Sequence, residues 1–119
     1  MELKYFTLDE FDCPTFKGSG VNMDSTLLRM LDDLRERYGK PLRVTSGYRT
    51  KEHNEAVGGV PNSSHLRGVA VDIAATSSRE RHDILKLAFE VGFDRIGIAN
   101  SFLHLDIDDT KPKDCIWTY

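Results

Sequence analysis

The apolar stretch VAVDIA, residues 69–74, carries an aspartate in its middle, and that one residue limits what this chain can fold into. Charged side chains are almost never buried unless they are paired or hold a metal, because an unpaired buried charge is too costly. In a strand the side chains alternate, so Val69, Val71 and Ile73 share one face while Ala70, Asp72 and Ala74 share the other. Asp72 then projects from a face cleared by two alanines, and it needs a partner there.

The segment FLHLDI, residues 102–107, follows the same rule: Leu103, Leu105 and Ile107 fall on one face, Phe102, His104 and Asp106 on the opposite one. Each strand buries aliphatics behind and presents ligand types in front. His65 lies seven residues before Asp72, a span of ~23 Å if fully extended. The chain must turn back for the two to meet, and Gly68 stands where such a turn is cheap. Two imidazoles and one carboxylate suit zinc, with a fourth position left for water. Singly, a histidine is more often a surface or satisfied core residue, and His53 and His82 are assigned to that class. Pattern alone leaves open whether His65, Asp72 and His104 form a metal site or sit apart.

At 119 residues, 39% hydrophobic and 29% charged, the chain is read as one domain, 1–119. A net charge of -3 and a pI near 5.8 give no basic excess of the kind that tracks a phosphate backbone, so nucleic acid is not an expected partner. No apolar run approaches the ~18 to 20 residues that span a bilayer, and MELKYFTLDEFDC has neither a basic nor an apolar leader region. The expectation is a monomer made in the cytoplasm without an export signal and with no membrane partner. Cys13 and Cys115 are too few for a disulfide framework and are expected to be reduced, partly buried thiols rather than metal ligands.

Leu27, Met30, Leu31, Leu34 and Tyr38 recur at helical spacing, with Asp24 to cap the start and Gly39 and Pro41 to stop it, which predicts a helix over about 24–38. LRVTS at 42–46 reads as a strand, and GYRTKEHNEAVGGVPNSS after it as a long loop with one helical turn at most. A second helix is predicted over about 78–91, opened by Ser77 and Glu80 and closed by Gly92, with Ile84, Leu87, Ala88 and Val91 inward. The last third reads as two or three short strands with turns at Asn100 and around Pro112. Together these give an α+β domain: a small, mostly antiparallel sheet packed with two main helices.

With these motifs in place, SGYRT (46–50), GG (58–59), SSHLRGVAVD (63–72) and HLD (104–106), the chain resembles the peptidase M15 family, the zinc D-Ala-D-Ala carboxypeptidases and endolysin peptidases, and in particular its small phage and bacterial members. The opening YFTLDEF is similar to the start of those proteins, so the resemblance covers nearly the whole chain. It implies a hedgehog/DD-peptidase-like fold, one zinc held by His65, Asp72 and His104, and hydrolysis of a peptide bond in peptidoglycan stem or cross-link peptides, either in the wall after release through a pore made by another protein or in wall precursors and recycled fragments. It also implies Arg49 as a substrate anchor, a role for which a fixed guanidinium is well suited. Ser64, next to a ligand, is grouped with Arg49 as a candidate substrate contact, its alternatives being a group that hydrogen-bonds behind the metal or a plain turn residue.

The chain departs from its better-studied relatives at one point. Many of them carry an acidic general base three residues before the last ligand histidine, and this chain has Ser101 there. Asp106 is the nearest carboxylate that could act as catalytic base in its place, expected beside the open coordination position; its alternative is to orient a ligand histidine. Glu52 and Glu55 are further candidates. Ser101 also keeps a second function open, a zinc-containing cell-wall or peptide-binding module of the same fold without turnover, as in the zinc domain of hedgehog signalling proteins. A structural wall protein without metal would require both histidines to be incidental.

Overall fold

The computed structural model describes residues 2–119. Asp24 caps the first long helix, α1 (Ser25–Tyr38), by accepting from the backbone N–H groups of Thr26 at 2.8 Å and Leu27 at 3.1 Å. Gly39, at φ 73°, closes it in the left-handed conformation that costs glycine little. The second long helix, α3 (Ser78–Val91), is opened by Ser77 and Glu80 and closed by Gly92, as the sequence predicts. Between them lies a short helix, α2 (Lys51–Ala56), capped by Thr50, followed by a 3-10 turn over Ser64–Arg67. The 47–64 segment therefore holds one short helix within the predicted loop and ends where the 3-10 turn begins. None of the described helices is long and apolar enough to cross a membrane.

Five strands, β1 (Val44–Ser46), β2 (Ala70–Ala74), β3 (Arg95–Ile98), β4 (Phe102–Asp106) and β5 (Cys115–Thr118), form one sheet in the order β1-β2-β4-β3-β5. All pairs are antiparallel except β3 with β5, which the 107–114 connection makes parallel by carrying the chain past β3 to the far edge. The α+β expectation holds, with a mixed sheet and one helix more than the two main ones.

The alternation read from the sequence divides the sheet into two faces. Val71, Ile73, Leu103, Leu105 and Ile96 are fully buried in one core with Leu27, Leu31 and Leu34 of α1 and Ile84 and Ala88 of α3. Truncating any one of those leucines to alanine would cost about 2–5 kcal/mol. On the opposite face the register lines up a single row across all five strands: Ser46, Asp72, His104, Gly97 and Trp117. The neighbouring row runs Ala70, Asp106, Arg95 and Cys115.

Candidate metal centre and its cleft

His65 reaches this face from the 3-10 turn, whose end at Gly68 (φ 71°) reverses the chain into β2. A Cβ on Gly68 would stand 2.2 Å from the Asn22 carbonyl oxygen, so the turn requires glycine for space as well as for conformation. His65, Asp72 and His104 are all buried, and one donor atom from each lies within 4.8 Å of the others. His65 Nε2 is 3.3 Å and His104 Nδ1 is 3.0 Å from the same oxygen, Asp72 Oδ1.

The opposite nitrogen of each ring decides what these contacts mean. His65 Nδ1 is 2.8 Å from the Gly47 carbonyl oxygen, which can only accept, so Nδ1 carries the proton. His104 Nε2 is 2.7 Å from Asp106 Oδ2, closer than Nδ1 is to Asp72 Oδ1 at 3.0 Å, which favours Nε2 as the proton's place in the neutral ring. In neutral rings both remaining nitrogens therefore present lone pairs to a carboxylate oxygen. Such a contact is repulsive unless a cation shared by all three, or a proton on each ring, stands between them. Two imidazoles with fixed tautomers and one carboxylate match zinc's preferred donors, and the hydrogen bonds behind them are the kind that orient metal ligands.

With both rings protonated the same contacts become hydrogen bonds: burial pushes the Asp72 carboxyl up, but those from His104 and His65 outweigh it and hold the carboxyl well below the usual range. Burial lowers His104, while Asp106 and Asp72 raise it further, leaving it above the ordinary imidazole value.

The cleft in front of the cluster has a volume of ≈ 720 Å³ and is lined by Arg49, Lys111, Trp117 and Tyr119, among others. Arg49 reaches it from the start of α2. Its guanidinium donates to Ser46 Oγ (3.0 Å) and Asn54 Oδ1 (3.2 Å) and lies 3.5 Å from Asp72 Oδ2. Gly59 makes this possible, because a Cβ there would fall 2.0 Å from Asn54 Oδ1 and 3.0 Å from Arg49 Nη1. Trp117 leans across Gly97, where a Cβ would meet its Nε1 at 2.6 Å, and packs on both the His104 ring, centroids 5.4 Å apart, and Arg95, whose Cζ is 5.0 Å from the Trp117 ring centroid.

Asp106 is placed differently from its expected position beside the open coordination site. It lies across the His104 ring from Asp72, buried, with Oδ2 on His104 Nε2 and Oδ1 accepting from Arg95 Nε (2.7 Å) and the Asp108 N–H (3.1 Å). Register explains this, since Arg95 and Asp106 are direct partners across β3 and β4. Ser64 also turns inward: its hydroxyl donates to Asp108 at 2.6 Å. Ser101 is exposed in the β3–β4 turn, and neither it nor the exposed Glu52 and Glu55 lines the cleft. His53, assigned from sequence to the surface or satisfied-core class, is half-buried at the cleft wall but outside the cluster. His82 is exposed and pairs with Asp83. Both cysteines are free thiols, Cys13 buried beside Thr50.

Sequence reasoning missed Asp108, Arg95, Asn54 and Lys111. For Asp108 a signal existed, because the alternation that pairs His104 with Asp106 continues to it. The other three depend on strand pairing and loop closure, which carry no local pattern.

The family model described as Peptidase M15 matches residues 4–106 of the chain, a span that holds His65, Asp72, His104 and Arg49. No curated protein matches it.

Proposed function

The chain belongs to the peptidase M15 family, and from that premise we propose that it is a zinc peptidase hydrolysing a peptide bond in the stem or cross-link peptides of peptidoglycan. The observation that carries the reading is the convergence of His65 Nε2 and His104 Nδ1 on one oxygen of Asp72, with both ring protons held elsewhere. Zinc, when bound, supplies a Lewis acid for the scissile carbonyl and makes water acidic enough to deprotonate near neutral pH.

The chain's own groups position the substrate and the ligands. Arg49, fixed on two sides by Ser46 and Asn54, holds a substrate carboxylate in register. Asp106 acts through His104: it keeps the proton on Nε2 and so leaves Nδ1 free as a ligand. Phe102, Trp117 and Tyr119 form an apolar wall on which a peptide can lie.

One observation favours the alternative, a zinc-containing module that binds wall peptides without cutting them. Both carboxylates lining the cleft, Asp72 and Asp106, are already engaged. Metal analysis of the purified protein together with digestion of purified cell wall separates the two. One equivalent of zinc with release of peptides supports the peptidase. Zinc with wall binding and no release supports the module, and no zinc at all overturns both.

A further inference from the structure

Lys111 is a cleft cation that the fold does not need for charge balance. It lies in the 107–114 connection, with a side chain 21% exposed, and lines the cleft alongside His65 and Asp106. Its nearest anion is Asp108, at 3.8 Å. That carboxylate is already satisfied by the Ser64 hydroxyl (2.6 Å), by the Thr110 N–H (3.0 Å) and hydroxyl (2.6 Å), and by an ion pair with Arg67. Arg67 alone cancels its charge. Among the described residues the only hydrogen-bond acceptor of the Lys111 ammonium is Ser64 Oγ, at 3.0 Å, which occupies one of three donors.

The other cleft charges are balanced. Asp106 is paired with Arg95, and Asp72 faces Arg49 and the two histidines. A positive group with two donors to spare therefore stands beside Ser64, whereas Arg49 enters the cleft at Asp72.

Resting on the reading of this cleft as a peptide site, we propose that Lys111 binds a second carboxylate of the substrate, one carried off the peptide backbone and distinct from the one taken by Arg49. The substrate class is then a peptide with an off-chain carboxylate, such as a γ-linked glutamate or a diamino diacid provides. An ammonium is suited to this role as a compact charge that accepts a carboxylate in several orientations.

The test uses two synthetic stem pentapeptides with the same free C-terminus, one with its off-chain carboxylates free and one with them amidated. Trp117 is the single tryptophan and lines the cleft, so its fluorescence reports occupancy of the zinc-loaded protein independently of turnover. The wild type is expected to bind the free-carboxylate peptide about tenfold more tightly, the scale of one partly exposed charge-assisted hydrogen bond. Lys111→Gln should bind both peptides equally, at the level of the amidated one, and Lys111→Arg should restore the preference. Equal binding of both peptides by the wild type overturns the proposal. So does a preference that survives in Lys111→Gln, or a loss shared by both peptides, which would mark Lys111 as a pin for its loop. If the preference is present but neither the peptides nor purified cell wall is cleaved, the peptidase reading fails while the carboxylate site stands.

Discussion

Asp72 and His104 face each other directly across β2 and β4, and the 3.0 Å between Asp72 Oδ1 and His104 Nδ1 is fixed by the register of the sheet rather than by a loop. Two of the three candidate ligands are thus held by the backbone ladder. His65 is brought to them by a turn that a side chain at position 68 would open.

Removing a ligand should remove the metal. His65→Ala and Asp72→Asn are expected to lose zinc while remaining folded, checked by elemental analysis beside circular dichroism. Undiminished zinc in folded His65→Ala would place the metal elsewhere. Changing Cys13 and Cys115 together to serine should leave zinc content intact.

Asp106→Asn should weaken zinc by ~10 to 100-fold, with activity recovered at saturating metal, because the carboxylate acts by orienting His104. Were Asp106 the proton carrier instead, zinc would stay and turnover would fall by ~10² to 10⁴ at any metal concentration. Titrating zinc while following peptide hydrolysis distinguishes the two.

The metal-free and metal-loaded proteins should respond to pH in opposite directions. His104 has a folded pKa raised above the ordinary ~6.5. It therefore stabilises the metal-free fold below that value, and the contribution is lost as pH rises through the folded pKa. Zinc needs the same ring deprotonated, so its affinity falls as pH drops through that range. Melting curves from about pH 6 to about pH 8 should fall for stripped protein and rise for loaded protein at limiting zinc.

Gly59→Ala should disturb substrate capture before it disturbs the metal. The added methyl collides with Asn54 Oδ1 and releases Arg49 from its anchor. Raised KM by about 10 to 100-fold with zinc retained is the expected split; an unchanged KM would detach Arg49 from substrate binding.

Asp108→Asn should cost about 2–3 kcal/mol, since Ser64, Thr110 and Arg67 all lose a charged acceptor. Burial pushes this carboxyl up, but the hydrogen bonds from Ser64 and Thr110 and the nearby Arg67 hold it at about 2, below the usual 3.8. Its contribution is present above the unfolded value and is lost as pH falls through the folded one. Acid unfolding of the wild type should thus show a component below about pH 4 that the variant lacks.

Two members of the candidate cluster, Asp72 and His104, were legible because period-two alternation is a local signal: VAVDIA and FLHLDI each declare a buried face and a polar one, whereas His65 was joined to them through the family motif. The helix ends were legible for the same reason, through Asp24, Gly39, Ser77 and Gly92. The position of Asp106 was not, because its carboxylate is directed by Arg95 of a strand eleven residues earlier, and sequence does not say which strands become neighbours. Nor did any pattern mark Lys111, which meets Ser64 only through closure of the connection that leads to β5.

The row of Ser46, Asp72, His104, Gly97 and Trp117 has a further consequence. A slip of one residue between β2 and β4 would turn Leu103 and Leu105 outward and His104 into the apolar layer, so a misaligned molecule would lose its core and its metal together. If the cluster holds zinc as proposed, uptake of the ion would double as a reading of correct assembly: the fraction of chains that load it would be the fraction that has aligned its strands. Substitutions meant to reshape the cleft walls are correspondingly best placed outside the ladder, in 47–64 and 107–114, where they leave the row behind them in register.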